Sequence, residues 1–295
     1  MATPRATTEP TDAFPVTIKH EYGSTVVPRA PQRVVALSNR FRDASFALGV
    51  TPLPSRYNDE RIYTIPRPWA QYAAGWATST VLFSGGGPDL TAIAGLKPDL
   101  ILDGVGFSDA SGYEQLSRIA PTIVRASRDS GNSWQAVTRS VGAALGRSAR
   151  AEQVVAEFEA RLTKVASENP RFKGKRLAFA SYSDPTEAVY VLDPRDPDMQ
   201  FFASLGFTVP QMTPRVDPTR FSNLDVDVLI WDMATEKEEK AVIEADPRLN
   251  TLRVIKEKRA VYIDGDLAYA FSPSSILSLQ FALERITPLL QAVPG

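Results

Sequence analysis

The chain has no cysteine, which excludes disulfides, thiolate metal sites and a cysteine nucleophile together. It has a single histidine, His20. A Ser-His-Asp triad would have to use that residue, and a zinc or manganese site built on two or three imidazoles cannot be assembled. No G-x-S-x-G elbow occurs, and the neighbouring carboxylates Asp193, Asp196 and Asp198 lie among prolines rather than on a scaffold that would set them for acid–base work. No apolar run reaches the roughly eighteen residues that a bilayer-spanning helix needs. An excess of one charge is missing too. Lys plus Arg number 33 against 34 for Asp plus Glu, interspersed along the chain, which argues against a nucleic-acid footprint or a polybasic membrane patch.

What is present is an ordinary globular composition, 43% hydrophobic over 295 residues, enough for one large domain or two of common size. The first residues, MATPRATTEPTDAFP, are Thr- and Pro-rich, lack the apolar core of a signal peptide and predict a flexible leader over 1–13. VTIKHEYGSTVVP (16–28) alternates around Gly23 as an edge hairpin does. RVVAL (33–37) predicts a buried strand, and FRDASFALGV a helix that stops at Gly49. VTPLPS (50–55) predicts a short strand, limited by its two prolines. The aromatic stretch 56–79 reads as loop with one short helix.

TVLFSGGGPDLTAIAGLKPDLILD (80–103) then gives strand, glycine turn, helix and a second buried strand; 113–119 predicts a helix and PTIVRAS (121–127) a strand. Between Trp134 and Glu168 the rhythm breaks: apolar residues recur at helical intervals, predicting helices over 133–145 and 148–168. Alternation resumes with strands at 176–181 and 188–192, a helix at 199–206, strands at 227–232 and 260–264, and a closing helix from Pro273 to Gln291. The expected fold is α/β: two Rossmann-like lobes (14–132 and 169–295), each with a central sheet, joined by a helical connector (133–168) with a ligand cleft between them.

An ordered set of segments carries a family likeness over nearly the whole chain: STVVPRAPQRVVAL, FALGVTPLP, GGGPDLTAIAGLKPDLIL, APTIV, GAALG, VDVLIW and PRLNTLRVIKEKRAVYID. By these the sequence resembles the substrate-binding proteins of iron-siderophore and cobalamin uptake, the clamshell class with a helical backbone. The resemblance implies a receptor outside the cytoplasmic membrane, usually a lipoprotein whose anchoring cysteine would precede Met1. It also implies capture of a ferric siderophore for an ABC permease; no cofactor is expected, the residues above argue against catalysis, and a monomer is the default. Haem, through a tyrosine ligand, and cobalamin are the alternative ligands, and a non-transport role in the cell envelope is a third reading. Two departures stand out. The glutamate with which the N-terminal lobe of such proteins docks to the permease falls at Thr91, with Asp89 nearby, and the segment that would carry the second, RFSNLDVDVLI, is shortened.

In an open α/β sheet the ligand-facing loops follow the carboxyl ends of the strands. That rule selects Asn39 and Arg40, Arg56 and Tyr57, Gly86, Phe107 and Arg125 in the first block, and Tyr182 and Tyr269 in the second; Arg215 in TPRVDPTR is a further candidate cleft cation, and Trp69 and Trp76 lie where a rim would be. Arginine offers a planar, permanently charged fork to metal-bound oxygens, and aromatic rings offer broad contact at low entropic cost. Each has a competing structural reading. Arg40 and Arg42 are equally a solvated helix entrance, and the neighbouring Asp43 places Arg42 on the helix surface. Of Trp69, Tyr72 and Trp76 at least one is expected in the core. Gly85–Gly87 is a tight turn before it is an anion nest, and Tyr182 and Tyr269 are as well suited to packing as to a ligand. Arg195 is expected on the surface and Trp231 in the core.

Overall fold

The alternating segment after the leader folds into the expected hairpin. Strands β1 (Val16–His20) and β2 (Gly23–Val27) pair antiparallel from Val16 opposite Val27 to His20 opposite Gly23. The structure, a computed structural model, describes residues 12–56, 67–70, 80–84, 87–104, 109–127, 133–181, 188–233 and 237–295. The chain divides into two units, one running to Glu157 and taking in Ser275–Leu277, the other comprising Phe158–Ser274 and Ser278–Gly295.

In the first unit β3 (Val34–Ala36) leads into α1 (Asn39–Ala47). Short strands β4 (Ser55–Arg56), β5 (Thr80–Val81), β6 (Phe83–Ser84) and β7 (Gly87–Pro88) come next, then α2 (Leu90–Gly95), β8 (Leu100–Asp103), α3 (Ala110–Ser117) and β9 (Thr122–Val124). The sheet is ordered β3-β8-β9 and is parallel throughout. Every residue of these three strands is buried, which is why they read as continuous apolar runs. One face packs on Phe41, Ala44 and Leu48, the other on Leu82, Ile93 and Leu116. The prolines of 50–55 act as expected: Leu53 donates to the Val34 carbonyl at 2.7 Å, but the strand proper is confined to Ser55–Arg56.

The helices are started by their caps. Ser38, Asp89, Asp109 and Ser133 each accept a backbone N–H at the start of α1, α2, α3 and α4 (Trp134–Ala144), satisfying donors the helix leaves open. Helix α5 (Ser148–Glu168) follows after Gly146, whose φ of +70° suits the αL turn that ends α4. The two helices match their expected ranges closely. Helix α4 puts Val137, Val141 and Ala144 into the core of the first unit, and the boundary between units falls inside α5. Most of the expected leader lies outside the described residues, but its end is fixed: Asp12 donates to the Gly146 carbonyl and its carboxylate accepts from Ser148 N, each at 3.1 Å.

The second unit holds β10 (Leu177–Ser181), β11 (Val189–Val191), α6 (Pro197–Ser204), β12 (Arg215–Val216), β13 (Val228–Asp232), α7 (Lys237–Ala245), α8 (Arg253–Lys256), β14 (Ala260–Ile263), α9 (Gly265–Phe271) and α10 (Ile276–Ala292). Its sheet is ordered β12-β11-β10-β13-β14. Strands β10, β13 and β14 are parallel, while β11 runs antiparallel to both its neighbours. That reversal departs from a wholly alternating βα block and has a simple cause. Ser181 and Val189 are eight positions apart, too few for the dozen or so residues of a parallel crossover. Trp231 is fully buried, as expected, in a core with Val189, Val216 and Leu252; Phe179, Phe202 and Phe271 cluster with their ring centroids 5.3–6.0 Å apart. Among the described residues no helix is long and apolar enough to cross a membrane.

His20 closes the hairpin from inside. Its Nε2 lies 3.0 Å from Thr25 Oγ1, its ring is tilted against Tyr113, and Thr25 donates to the Thr122 carbonyl at 2.7 Å. Burial lowers its pKa from the ordinary 6.5, with the Glu21 charge opposing. The folded state therefore binds the proton less readily than the unfolded chain. The associated stability is complete above pH 6.5 and is lost as pH falls through the depressed folded value. Urea midpoints at about pH 7.5 and about pH 5 should fall together for wild type and His20→Gln, but by less in the variant. Equal falls would remove His20 as a contributor.

Candidate functional site

The carboxyl edge of the first sheet is built by three strand ends. After β3, Leu37 and the capping Ser38 deliver Asn39 and Arg40, both half-buried, at the amino end of α1, where open N–H groups favour negative charge. After β8 comes Gly104, packed directly against Phe41. After β9 comes Arg125, half-buried.

Arg42 corrects the sequence reading. It is not on the helix surface but 5% exposed, and Asp43 beside it is 1% exposed. The Arg42 guanidinium donates to Asn39 Oδ1. Asp43 Oδ2 accepts from Trp69 Nε1 at 3.1 Å and from Ser275 Oγ at 2.6 Å. Burial pushes the Asp43 carboxyl above its ordinary value, against the pull of the Arg42 charge and these two hydrogen bonds. Adjacency to an acid suggested a solvated pair; the partners that make burial tolerable come from Trp69 and from Ser275, 232 positions away.

Arg125 is also held. Its Nε donates to Glu21 Oε1 at 2.9 Å, and Glu21 N donates back to the Arg125 carbonyl at 3.1 Å. Its charge is thus largely answered within the protein. Arg56 lies in β4 opposite Val81, with its backbone alone described. Tyr57, Trp76, Gly86 and Phe107 lie outside the described residues, as does Tyr72.

In the second unit the carboxyl edge is less basic than expected. Ser181 pairs in register with Asp232 and with Tyr190, and Tyr190 with Arg215, so these four form a polar row across the strand ends. Arg215 is exposed on the edge strand β12: Val216 beside it is buried, and the alternation turns Arg215 outward. Tyr190 was missed. AVYVL reads as a buried strand, yet Tyr190 is 45% exposed beside Arg215. The alternation of valine, tyrosine, valine was the available signal. Tyr269 sits half-buried on α9, not in a loop: β14 runs straight into that helix. Tyr182 lies outside the described residues. Arg195 is on the surface, paired with Asp193 at 2.8 Å.

The periplasmic binding protein model matches residues 61–267. The chain belongs to that family. Among curated relatives, the Fe(3+) dicitrate-binding periplasmic protein FecB of Escherichia coli is 28% identical over 199 residues, 67% of this chain and 63% of that protein, so the match spans less than two thirds of its length. The ferric-anguibactin-binding protein FatB of Vibrio anguillarum is 26% identical over 297 residues, 92% of this chain and 86% of that protein. Among solved structures, a periplasmic solute binding protein from Mycobacterium smegmatis superposes with a TM-score of 0.84 at 28% identity, covering 95% of this chain and 99% of that one. The α/β architecture expected from the sequence is that of this family.

Proposed function

We propose that this periplasmic binding protein captures an anionic ferric chelate, of the ferric citrate or siderophore class, outside the cytoplasmic membrane and passes it to an ABC importer, without catalysis. The observation that carries this is family membership together with relatives named for binding ferric citrate and ferric anguibactin. The site chemistry supports it. Asn39 and Arg40 stand at a helix amino end at one carboxyl edge, and Tyr190 with Arg215 stands at another, offering amide, guanidinium and aromatic contacts to metal-bound oxygens and ligand planes. We retain Arg56, Tyr57, Trp69, Trp76, Gly86, Phe107, Arg125, Tyr182 and Tyr269 as proposed contacts, with Arg125 reduced in weight by its pairing to Glu21. A lipid anchor in the native precursor and a monomeric state belong to the same proposal. For docking, Thr91 is exposed and Asp89 is engaged as the cap of α2, so the importer would be met by other groups on that face. A shallow groove of about 410 Å³ between α2 and α3, lined by Leu90, Thr91, Ala94, Gln115, Arg118 and Ile119, lies beside them.

Titration followed by tryptophan fluorescence tests the reading. Ferric citrate, a ferric hydroxamate or a ferric catecholate should quench emission at sub-micromolar concentration, and Arg40→Ala should weaken that binding by about 1.5–3 kcal/mol, the usual worth of a charge-assisted hydrogen bond. Quenching by haemin or cyanocobalamin alone would transfer the assignment to those ligands.

A further inference from the structure

We propose that Arg42 and Asp43, adjacent buried residues of α1, are positioning residues that orient two ligand-facing side chains, Asn39 and Trp69. The inference rests on the chelate-binding reading, since it concerns how that site is held.

Neither residue faces solvent enough to touch a ligand, yet both reach outward to side chains that are half-buried. Arg42 donates to Asn39 Oδ1, one helical turn earlier, which fixes the edge that the Asn39 amide turns toward the guanidinium. Asp43 Oδ2 accepts the Trp69 indole N–H at 3.1 Å, and the same oxygen accepts Ser275 Oγ at 2.6 Å. Fixing the only donor of an indole fixes its plane, because the side chain has two rotatable bonds and the N–H direction is rigid. Ser275 belongs to the short segment Ser275–Leu277 that packs within the first unit, so a residue 232 positions away braces the carboxylate.

A role in stability alone would be poorly served by this arrangement. Two charged groups are withdrawn from water, a desolvation cost that their mutual attraction and hydrogen bonds offset only in part. An apolar pair of similar volume would pack α1 against its neighbours at least as well. Of the hydrogen bonds that reach these two residues, one ends on Asn39 and one comes from Trp69, both proposed ligand contacts.

The test separates positioning from stability and from the binding reading. In ligand-free protein the Trp69 indole proton resonance should move upfield in Asp43→Asn, because a neutral amide oxygen replaces a carboxylate as acceptor. Affinity for the chelate that quenches the wild type should fall about tenfold in Asp43→Asn, but less than about twofold when Trp69 is already phenylalanine. Ser275→Ala, which leaves the charge pair and the indole in place, should cost about threefold, and again lose that effect beside Trp69→Phe. It serves as the deciding variant if Asp43→Asn does not fold. An unchanged indole resonance, or equal losses of affinity with and without Trp69, would overturn the proposal. A wild type that binds none of the chelates would overturn the binding reading instead, since the resonance is measured without ligand.

Discussion

Trp231→Ala is expected to destabilise the protein by about 3–5 kcal/mol, the range for emptying a buried aromatic site. Trp231 is fully buried in β13, an interior strand of the second sheet, in a core shared with Val189, Val216, Phe221 and Leu252. Those residues come from β11, β12, the segment before β13 and the turn before α8, so no single element can move to fill the space. Trp231→Phe should cost clearly less, because most of the contact area survives. Urea denaturation followed by far-UV circular dichroism reads both, and a loss below about 1 kcal/mol for the alanine variant would contradict the burial. The phenylalanine variant also serves the binding assay. Trp231 is sealed from solvent, so ligand quenching should persist without it.

Most of the architecture was legible because its strands are buried on both faces. VVA, LILD and TIV are mostly apolar, with Asp103 and Thr122 their polar members, and Ser38, Asp109 and Ser133 cap the helices that come next. The helices 133–145 and 148–168 were readable from spacing and from Gly146 between them. Two elements were not. The direction of β11 depends on chain length between strands rather than on any property of AVYVL itself, and α9 begins directly at the end of β14 with no loop composition to lose.

The site was legible as places but not as partners. Asn39 and Arg40 follow β3 and Arg125 follows β9, so strand order places these three at the carboxyl edge of the first sheet, whereas Arg215 opens β12. What each cation does there depends on residues far off in sequence. Glu21, 104 positions from Arg125, answers its charge; Ser275 and Trp69 allow Asp43, and with it Arg42, to be buried. Local patterning cannot reveal such pairs, because an arginine beside an aspartate looks the same whether solvent or protein surrounds it. The exposure of Tyr190 was missed for the related reason that a short strand between valines resembles a core strand until its neighbour is known.

Gly104→Ala is the second large effect and bears most directly on the site. Gly104 is buried at the carboxyl end of β8, and a Cβ there would fall within the Phe41 ring. Phe41 is itself fully buried between Arg40 and Arg42 on α1, so the ring cannot swing into solvent. Either the ring takes a poorer rotamer or α1 shifts off the sheet, at about 1–3 kcal/mol or more for overpacking. A shift of α1 would carry Asn39 and Arg40 with it. Gly104→Ala should therefore lower both the urea midpoint and the affinity for the chelate, whereas Trp231→Phe should lower only the midpoint. Phe41→Leu introduced beside Gly104→Ala should restore part of both, because the smaller side chain vacates the space the methyl group needs. The two substitutions together would then cost less than the sum of each alone, the signature of groups in contact. A methyl group at 104 that leaves midpoint and affinity unchanged would mean that Phe41 does not pack against the end of β8.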